Sequence, residues 1–311
     1  MEAPSMSAVP RRSLLACLLL LSSPPALTDC IGMVTSAGGQ SFWQQVREGA
    51  AQAADEQGVR LHSRGPARDA DAGVQLRLID KVLSSQCRVL IIAPSGPEIA
   101  VHLQALKRKG IDSLYIDRDL GGDAVVAAIA TDNFSAGLQA GRQMARLLDG
   151  KGRVALLRFN AQVQSTSERE RGFLQGAREG GLQIALERYL PLGDEPALAR
   201  LARELRELDG LFTPSEGTTQ EVLGALRRLK SSGKLVHIGF DASPLLVEAL
   251  RQGELSALMV QQPRQIGYQS VLRAQRLLRG ERDGPREVKL AAVYVDRHNL
   301  DEIAIQSLLK P

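Results

Sequence analysis

The stretch DSLYIDRDL (112–120) decides how this chain is read. Apolar residues alternate up to Ile116, and Asp117 and Arg118 follow at once. A buried strand ends in a carboxylate beside a guanidinium only where hydrogen bonds hold both charges. The alternative is a surface loop in which both side chains meet water. Which applies depends on whether the rest of the chain builds a cleft at that point.

Outward from this stretch, short aliphatic runs alternate with longer segments of helical period. Strands are expected at CIGMVTS (30–36), VRLHS (59–63), RVLIIAP (88–94), SLYID (113–117) and VVAAIATD (125–132). The pattern restarts at RVALLRF (153–159), with further strands at 183–190, GLFTPS (210–215), LVHIGFD (235–241) and LSALMVQ (255–261). Between them, Val46, Ala50 and Ala53 share one face of a helix starting near Ser41, and Ile99, Leu103 and Leu106 recur at helical spacing. Further helices are expected around 72–85 and 134–149. Such alternation with continuous apolar strands means parallel sheets covered by helices on both faces. There are too many strands for one ordinary sheet, so two lobes are expected. IIAPSG (91–96) and LFTPSEG (211–217) echo each other at matching places in the two halves. In open parallel sheets, ligands sit outside the carboxyl ends of the strands. Here those ends carry Ser36, Pro94, Asp117, Arg118, Ser215 and Asp241.

The 311 residues are 44% hydrophobic and 24% charged, as in an ordinary globular protein, and the net charge of +4 is unclustered, which does not point to nucleic acid. Arg11 and Arg12 precede SLLACLLLLSSPPAL (13–27), which reads as an export signal over residues 1–28 with cleavage near Ala26–Thr28. LLAC, ending at Cys17, spells a lipoprotein box, but it precedes the apolar core rather than following it, so a lipid anchor is the less favoured reading.

Enzyme signatures are mostly missing. His62, His102, His237 and His298 are scattered, with no pair at metal-ligand spacing. TSAGGQSF (35–42) has neither dinucleotide nor P-loop glycine spacing, and no serine lies in a nucleophile elbow. No cofactor or metal is expected, and no catalysis. What remains suits a hydroxyl-rich neutral ligand, because carboxylates accept from two hydroxyls, guanidinium forks donate, and amides do both. Phe42 and Trp43 offer apolar faces to a sugar ring; equally, they read as a core pair at a helix start. Arg169, in STSERERGF (165–173), reads by composition as part of a solvated charge run.

Together, IGMVTSAGGQSFWQQVREGAAQAADEQG (31–58), LYIDRDL, IATDN, STSERERGF, IGFDASP and VQQPRQIGYQSV resemble the periplasmic sugar-binding proteins of the ribose-binding type, from Cys30 to about Asp296. The resemblance implies the type I periplasmic binding protein fold: an α/β chain of two Rossmann-like lobes with parallel sheets, joined by three crossings, with a ligand cleft between them. The lobes would be 29–131 plus 262–289 and 132–261 plus 290–311, with crossings near Thr131–Asp132, Gln261–Gln262 and Lys289–Leu290. By resemblance, Ser36, Phe42 and Trp43 form a first-lobe wall, Asp117 and Arg118 bond sugar hydroxyls, and Arg169, Asp241 and Gln261 are second-lobe contacts. Gln40 and Ser215 stand where ribose binders carry asparagines, which puts ribose itself in doubt but not a polyhydroxylated ligand. The second-lobe aromatic contact near 189–192 has no clear counterpart.

The expected protein is a periplasmic, monomeric solute receptor that delivers a sugar or polyol to an ABC permease. A sensor kinase or chemoreceptor is the alternative membrane partner. A sugar-responsive repressor of this fold would need a helix-turn-helix before the first strand, where an export signal stands instead. A nucleotide-dependent enzyme is disfavoured by the missing phosphate loop. Cys30 and Cys87 would precede neighbouring strands of this fold, about 4.8 Å apart, which is within disulfide reach. Two small buried hydrophobes are the alternative.

Overall fold

The computed structural model describes Met1 and residues 29–38, 41–67, 71–191 and 193–309; the export signal, its Cys17 box and Gln40 lie outside the described residues. In chain order the first half runs β1 (Cys30–Val34), α1 (Ser41–Gln57), β2 (Arg60–Arg64), α2 (Ala72–Leu83), β3 (Val89–Ile92), α3 (Glu98–Arg108), β4 (Asp112–Ile116) and β5 (Ala127–Thr131). The second runs α4 (Asn133–Leu147), β6 (Arg153–Arg158), α5 (Gln164–Glu179), β7 (Gln183–Tyr189), α6 (Glu195–Leu205), β8 (Gly210–Phe212), α7 (Glu216–Arg228), β9 (Val236–Phe240), α8 (Pro244–Arg251) and β10 (Ala257–Val260). The chain closes with α9 (Pro263–Leu278), β11 (Glu287–Leu290), β12 (Val293–Asp296) and α10 (Ile303–Leu309).

Two sheets form, in the orders β11-β5-β4-β3-β1-β2 and β12-β10-β9-β8-β6-β7. Every neighbouring pair of the first sheet is parallel. In the second sheet all pairs are parallel except at one edge, where β12 runs antiparallel to β10. The cause is a direct step from β11 to β12 across the lobes, with no crossover helix to restore the direction.

Alternation within each strand explains the layering. Val89 and Ile91 of β3 pack with Val46 and Ala50 of α1 and Ile266 of α9, whereas Leu90 and Ile92 pack with Ile79 of α2 and Leu103 of α3. The second sheet repeats this: Val154 and Leu156 face Ala140 of α4 and Phe173 of α5, and Ala155 and Leu157 face Leu201 of α6 and Val222 of α7. Central strands such as β3 and β6 are apolar on both faces because both are covered.

The crossings lie side by side. β5 ends the first sheet's contribution at Thr131, Asp132 caps α4 by accepting from the Ser135 N–H, and α4 packs on the second sheet. The chain returns after β10, when α9 packs on the first sheet. The third crossing falls after Leu290, slightly later than the sequence suggests, because Leu290 is still in register with Thr131. The Asp132 N–H donates to the Leu290 carbonyl (2.8 Å), and Gln262 Nε2 donates to the Ala291 carbonyl (2.8 Å). Cys30 is the first residue of β1 rather than preceding it, and a disulfide joins it to Cys87, with 4.4 Å between the Cα atoms.

Candidate functional site

The carboxyl ends of both sheets border one cavity of about 310 Å³. Phe42 and Trp43 of α1, with Asp117 and Arg118 after β4, form one side. Phe159 after β6, Arg169 of α5, Ser215 and Glu216 at the start of α7, Asp241 after β9 and Gln261 after β10 form the other. The pair that opens the sequence reading therefore ends its strand at a cleft.

Asp117 and Asp241 occupy equivalent places. Each directly follows a strand and has left-handed backbone, with φ of 62° and 68°. That conformation is costly for a residue bearing a Cβ and persists where surrounding bonds enforce it. Here the Asp117 N–H donates to the Ile129 carbonyl (3.0 Å), and the Asp241 N–H to the Met259 carbonyl (2.9 Å), each on the adjacent strand. Arg118 Nε lies 3.5 Å from Asp117 Oδ2. The loop that follows is clamped by Arg286, whose two terminal nitrogens each reach an Asp119 carboxylate oxygen at 3.2 Å. Phe42 and Trp43 meet edge to face with ring centroids 4.8 Å apart. Trp43 is 3% exposed and packs in the α1–α9 core, yet the residue also lines the cavity. The core and wall readings of Trp43 both describe it.

Arg169 is far from the solvated charge that composition suggests. It is buried, its Nε donates to Asn133 Oδ1 (2.8 Å), Nη1 donates to the Pro214 carbonyl (3.0 Å), and its guanidinium lies 3.8 Å from the Phe240 ring centroid. Burial pushes its pKa down from the ordinary value, opposed by the carboxylates of Asp241 and Asp117. Asp241 accepts from Gln261 Nε2 at 2.7 Å and from the Glu216 N–H at 3.2 Å. Ser215 caps α7: its hydroxyl accepts from the Thr218 N–H, and the Thr218 hydroxyl accepts from the Ser215 N–H. Glu216 has its pKa raised by burial and then by Asp241, while Gln220 Nε2 donates to its carboxylate (2.9 Å).

Of the expected contacts, Phe42, Trp43, Asp117, Arg118, Arg169, Ser215, Asp241 and Gln261 are brought together. Ser36 is buried and does not line this cavity. Tyr189 does not either; it is exposed at the end of β7, beneath the Arg158 guanidinium. The second lobe's aromatic residues at the site are instead Phe159, in the wall, and Phe240, under Arg169. Sequence reasoning missed Phe159, Asn133, Glu216 and Gln220. Glu216 directly follows the expected strand end at Ser215, so its position carried a signal; the others are fixed by packing. Among the described residues there is no cluster of three or more metal-ligating side chains, and no helix is long and apolar enough to cross a membrane.

A family model described as periplasmic binding protein domain matches residues 31–282. The chain belongs to the periplasmic binding protein family. Within it, the likeness is to the ribose-binding type. The ribose import binding protein of Haemophilus influenzae is 30% identical over 85% of this chain and 90% of its own length. That of Escherichia coli is 26% identical, over 82% and 86%. The periplasmic component of a sugar ABC transport system from Hahella chejuensis superposes with a TM-score of 0.77 at 34% identity, covering 86% of this chain and all (100%) of that one. A solute-binding protein from Agrobacterium vitis, solved with bound D-fucose, gives 0.81 at 26% identity, covering 90% and 100%. These relatives are sugar-binding transport receptors, not enzymes.

Proposed function

We propose that this periplasmic binding protein captures a sugar or sugar-like polyol between its lobes and delivers it to an ABC permease. The lobes are residues 29–131 plus 262–290 and 132–261 plus 291–311, the third boundary moved by one residue from the sequence expectation because Leu290 still pairs with Thr131. The observation that carries the reading is the composition of the cavity: carboxylates from both sheets, two guanidinium groups, two amides and an aromatic edge converge there. Carboxylates take paired hydroxyls, Arg118 and Arg169 supply donors, and Phe42 with Trp43 covers the C–H face of a ring. Walls from two lobes make contacts that coexist only when the lobes are together, so ligand selects the closed arrangement. The protein is exported, its leader is removed, and it acts as a monomer.

A thermal-shift panel of pentoses, hexoses, polyols and sugar acids tests the reading. At about 100 times its dissociation constant, a ligand adds roughly 2.7 kcal/mol, which raises the melting temperature of a chain this size by about 4–5 °C. A shift with a neutral sugar or polyol is expected; a panel with no shift refutes sugar capture. Delivery is tested by adding liganded protein to an ABC permease in proteoliposomes, where ATP hydrolysis rises.

A further inference from the structure

We infer that Thr131 is a positioning residue for ligand binding: its hydroxyl holds the Gln261 amide, and through it the Asp241 carboxylate, in the orientation the cavity uses. The inference rests on the reading of that cavity as a sugar site. Thr131 is the last residue of β5, at the first crossing; it is not in the wall of the 310 Å³ cavity but lines a smaller one of about 100 Å³ that shares Asp117, Arg118 and Ser165 with it. Gln261 follows β10 at the second crossing, 130 residues later. The two side chains meet in the interior, 3% and 4% exposed.

The chemistry of the three groups fixes the direction of the relay. An ionised carboxylate can only accept, so Gln261 must turn its NH2 to Asp241, and Nε2 lies 2.7 Å from Asp241 Oδ1. The other end of the amide is then a buried carbonyl that needs a donor. The Thr131 hydroxyl supplies it, 2.7 Å from Gln261 Oε1. The second Asp241 oxygen accepts from the Glu216 N–H at the start of α7 (3.2 Å). The Asp241 carboxylate is thus held from two sides, by the α7 backbone and by an amide whose own anchor lies on the strand that crosses between lobes. A group fixed in this way meets the ligand without paying to be ordered, and losing the anchor leaves a buried acceptor unsatisfied.

The test compares Thr131→Val, which keeps the side chain's shape without its donor, with Thr131→Ser, which keeps the donor. In ligand-free protein, NMR follows hydrogen exchange of the Gln261 side-chain NH2. Faster exchange in Thr131→Val and wild-type protection in Thr131→Ser are expected; unchanged exchange in Thr131→Val overturns the inference. With D-ribose, or the first panel sugar that binds, Thr131→Val should weaken affinity about tenfold, with Thr131→Ser within about twofold of wild type. In an Asp241→Asn background the Thr131→Val effect should shrink to about twofold or less, because it acts through Asp241. An affinity loss that serine does not rescue, or one that persists in full beside Asp241→Asn, refutes the positioning role. If no panel sugar binds, the functional reading fails, and the exchange measurement alone decides the relay.

Discussion

Replacing Gly137 with alanine should damage the site from a distance, through one helix contact. Gly137 lies on α4, and a Cβ built there would stand 1.9 Å from the Arg169 carbonyl oxygen on α5. Real Cβ atoms keep at least about 3.0 Å from such an oxygen, so the helices must part by about 1.1 Å, the difference between these distances. Arg169 is the residue least able to follow. Its 2.8 Å bond to Asn133 and 3.0 Å bond to the Pro214 carbonyl would approach or pass the hydrogen-bonding limit after such a move. Overpacking costs about 1–3 kcal/mol, and each weakened bond to a buried charge adds up to roughly 1.5–3 kcal/mol. A stability loss of about 2–4 kcal/mol is expected, read as a fall of roughly 3–7 °C in melting temperature. Affinity for the panel sugar should fall about tenfold or more, measured by titration calorimetry on the fraction that folds. Gly224→Ala, on α7, is the control: its nearest neighbour is the Arg228 side chain at 3.7 Å, so alanine should be neutral or gain helix propensity. Wild-type stability and affinity in Gly137→Ala would refute the idea that this close approach seats Arg169.

Asp117→Ala, Arg118→Ala and Asp241→Ala should each weaken binding by about 2 kcal/mol or more while the fold survives, since each removal strands a desolvated partner; unchanged calorimetric affinity in all three would place the site elsewhere. Because Trp43 is both core and wall, Trp43→Ala should lose about 3–5 kcal/mol of stability together with affinity, and Trp43→Phe less of each. As the chain's single tryptophan it should report ligand by a saturable emission change, and its absence at saturation counts against a cavity-facing ring. His237 is buried with Nε2 2.9 Å from Thr213 Oγ1, and burial pushes its pKa down from 6.5 to about 3. Its folded pKa is the lower one, so stability is full above about pH 6.5 and is lost as pH falls towards 3, by roughly 2 kcal/mol at pH 5. His237→Leu should flatten that part of the urea-melt pH profile, and an unchanged slope would exclude His237 as its source. The Cys30–Cys87 bond spans 57 residues and contributes at most about 4 kcal/mol on chain entropy; two thiols titrated in unfolded, unreduced, periplasm-purified protein would show that it does not form.

Much of this protein was legible along the chain because its physics is local or periodic. The continuous apolar runs of β1, β3 and β4 declare strands covered on both faces, and the 3.6-residue spacing of Val46, Ala50 and Ala53 declares a helix lying on one of them. A charged pair after such a run, as at Asp117 and Arg118, marks a strand end that leads to a cleft. β11 and β12 were not legible as strands: each is four residues long and only partly buried, so neither carries the apolar signal of the central strands. Only the tertiary structure decided that Arg169 is buried rather than solvated. Its place depends on Asn133, 36 residues earlier, on the Pro214 carbonyl, 45 residues later, and on a bare glycine surface on α4. The same is true of the link from Thr131 to Gln261, which joins the first and second crossings. Sequence periodicity records which face of an element is buried; it does not record which distant polar group will be waiting there, because that partner is set by how the two sheets come together.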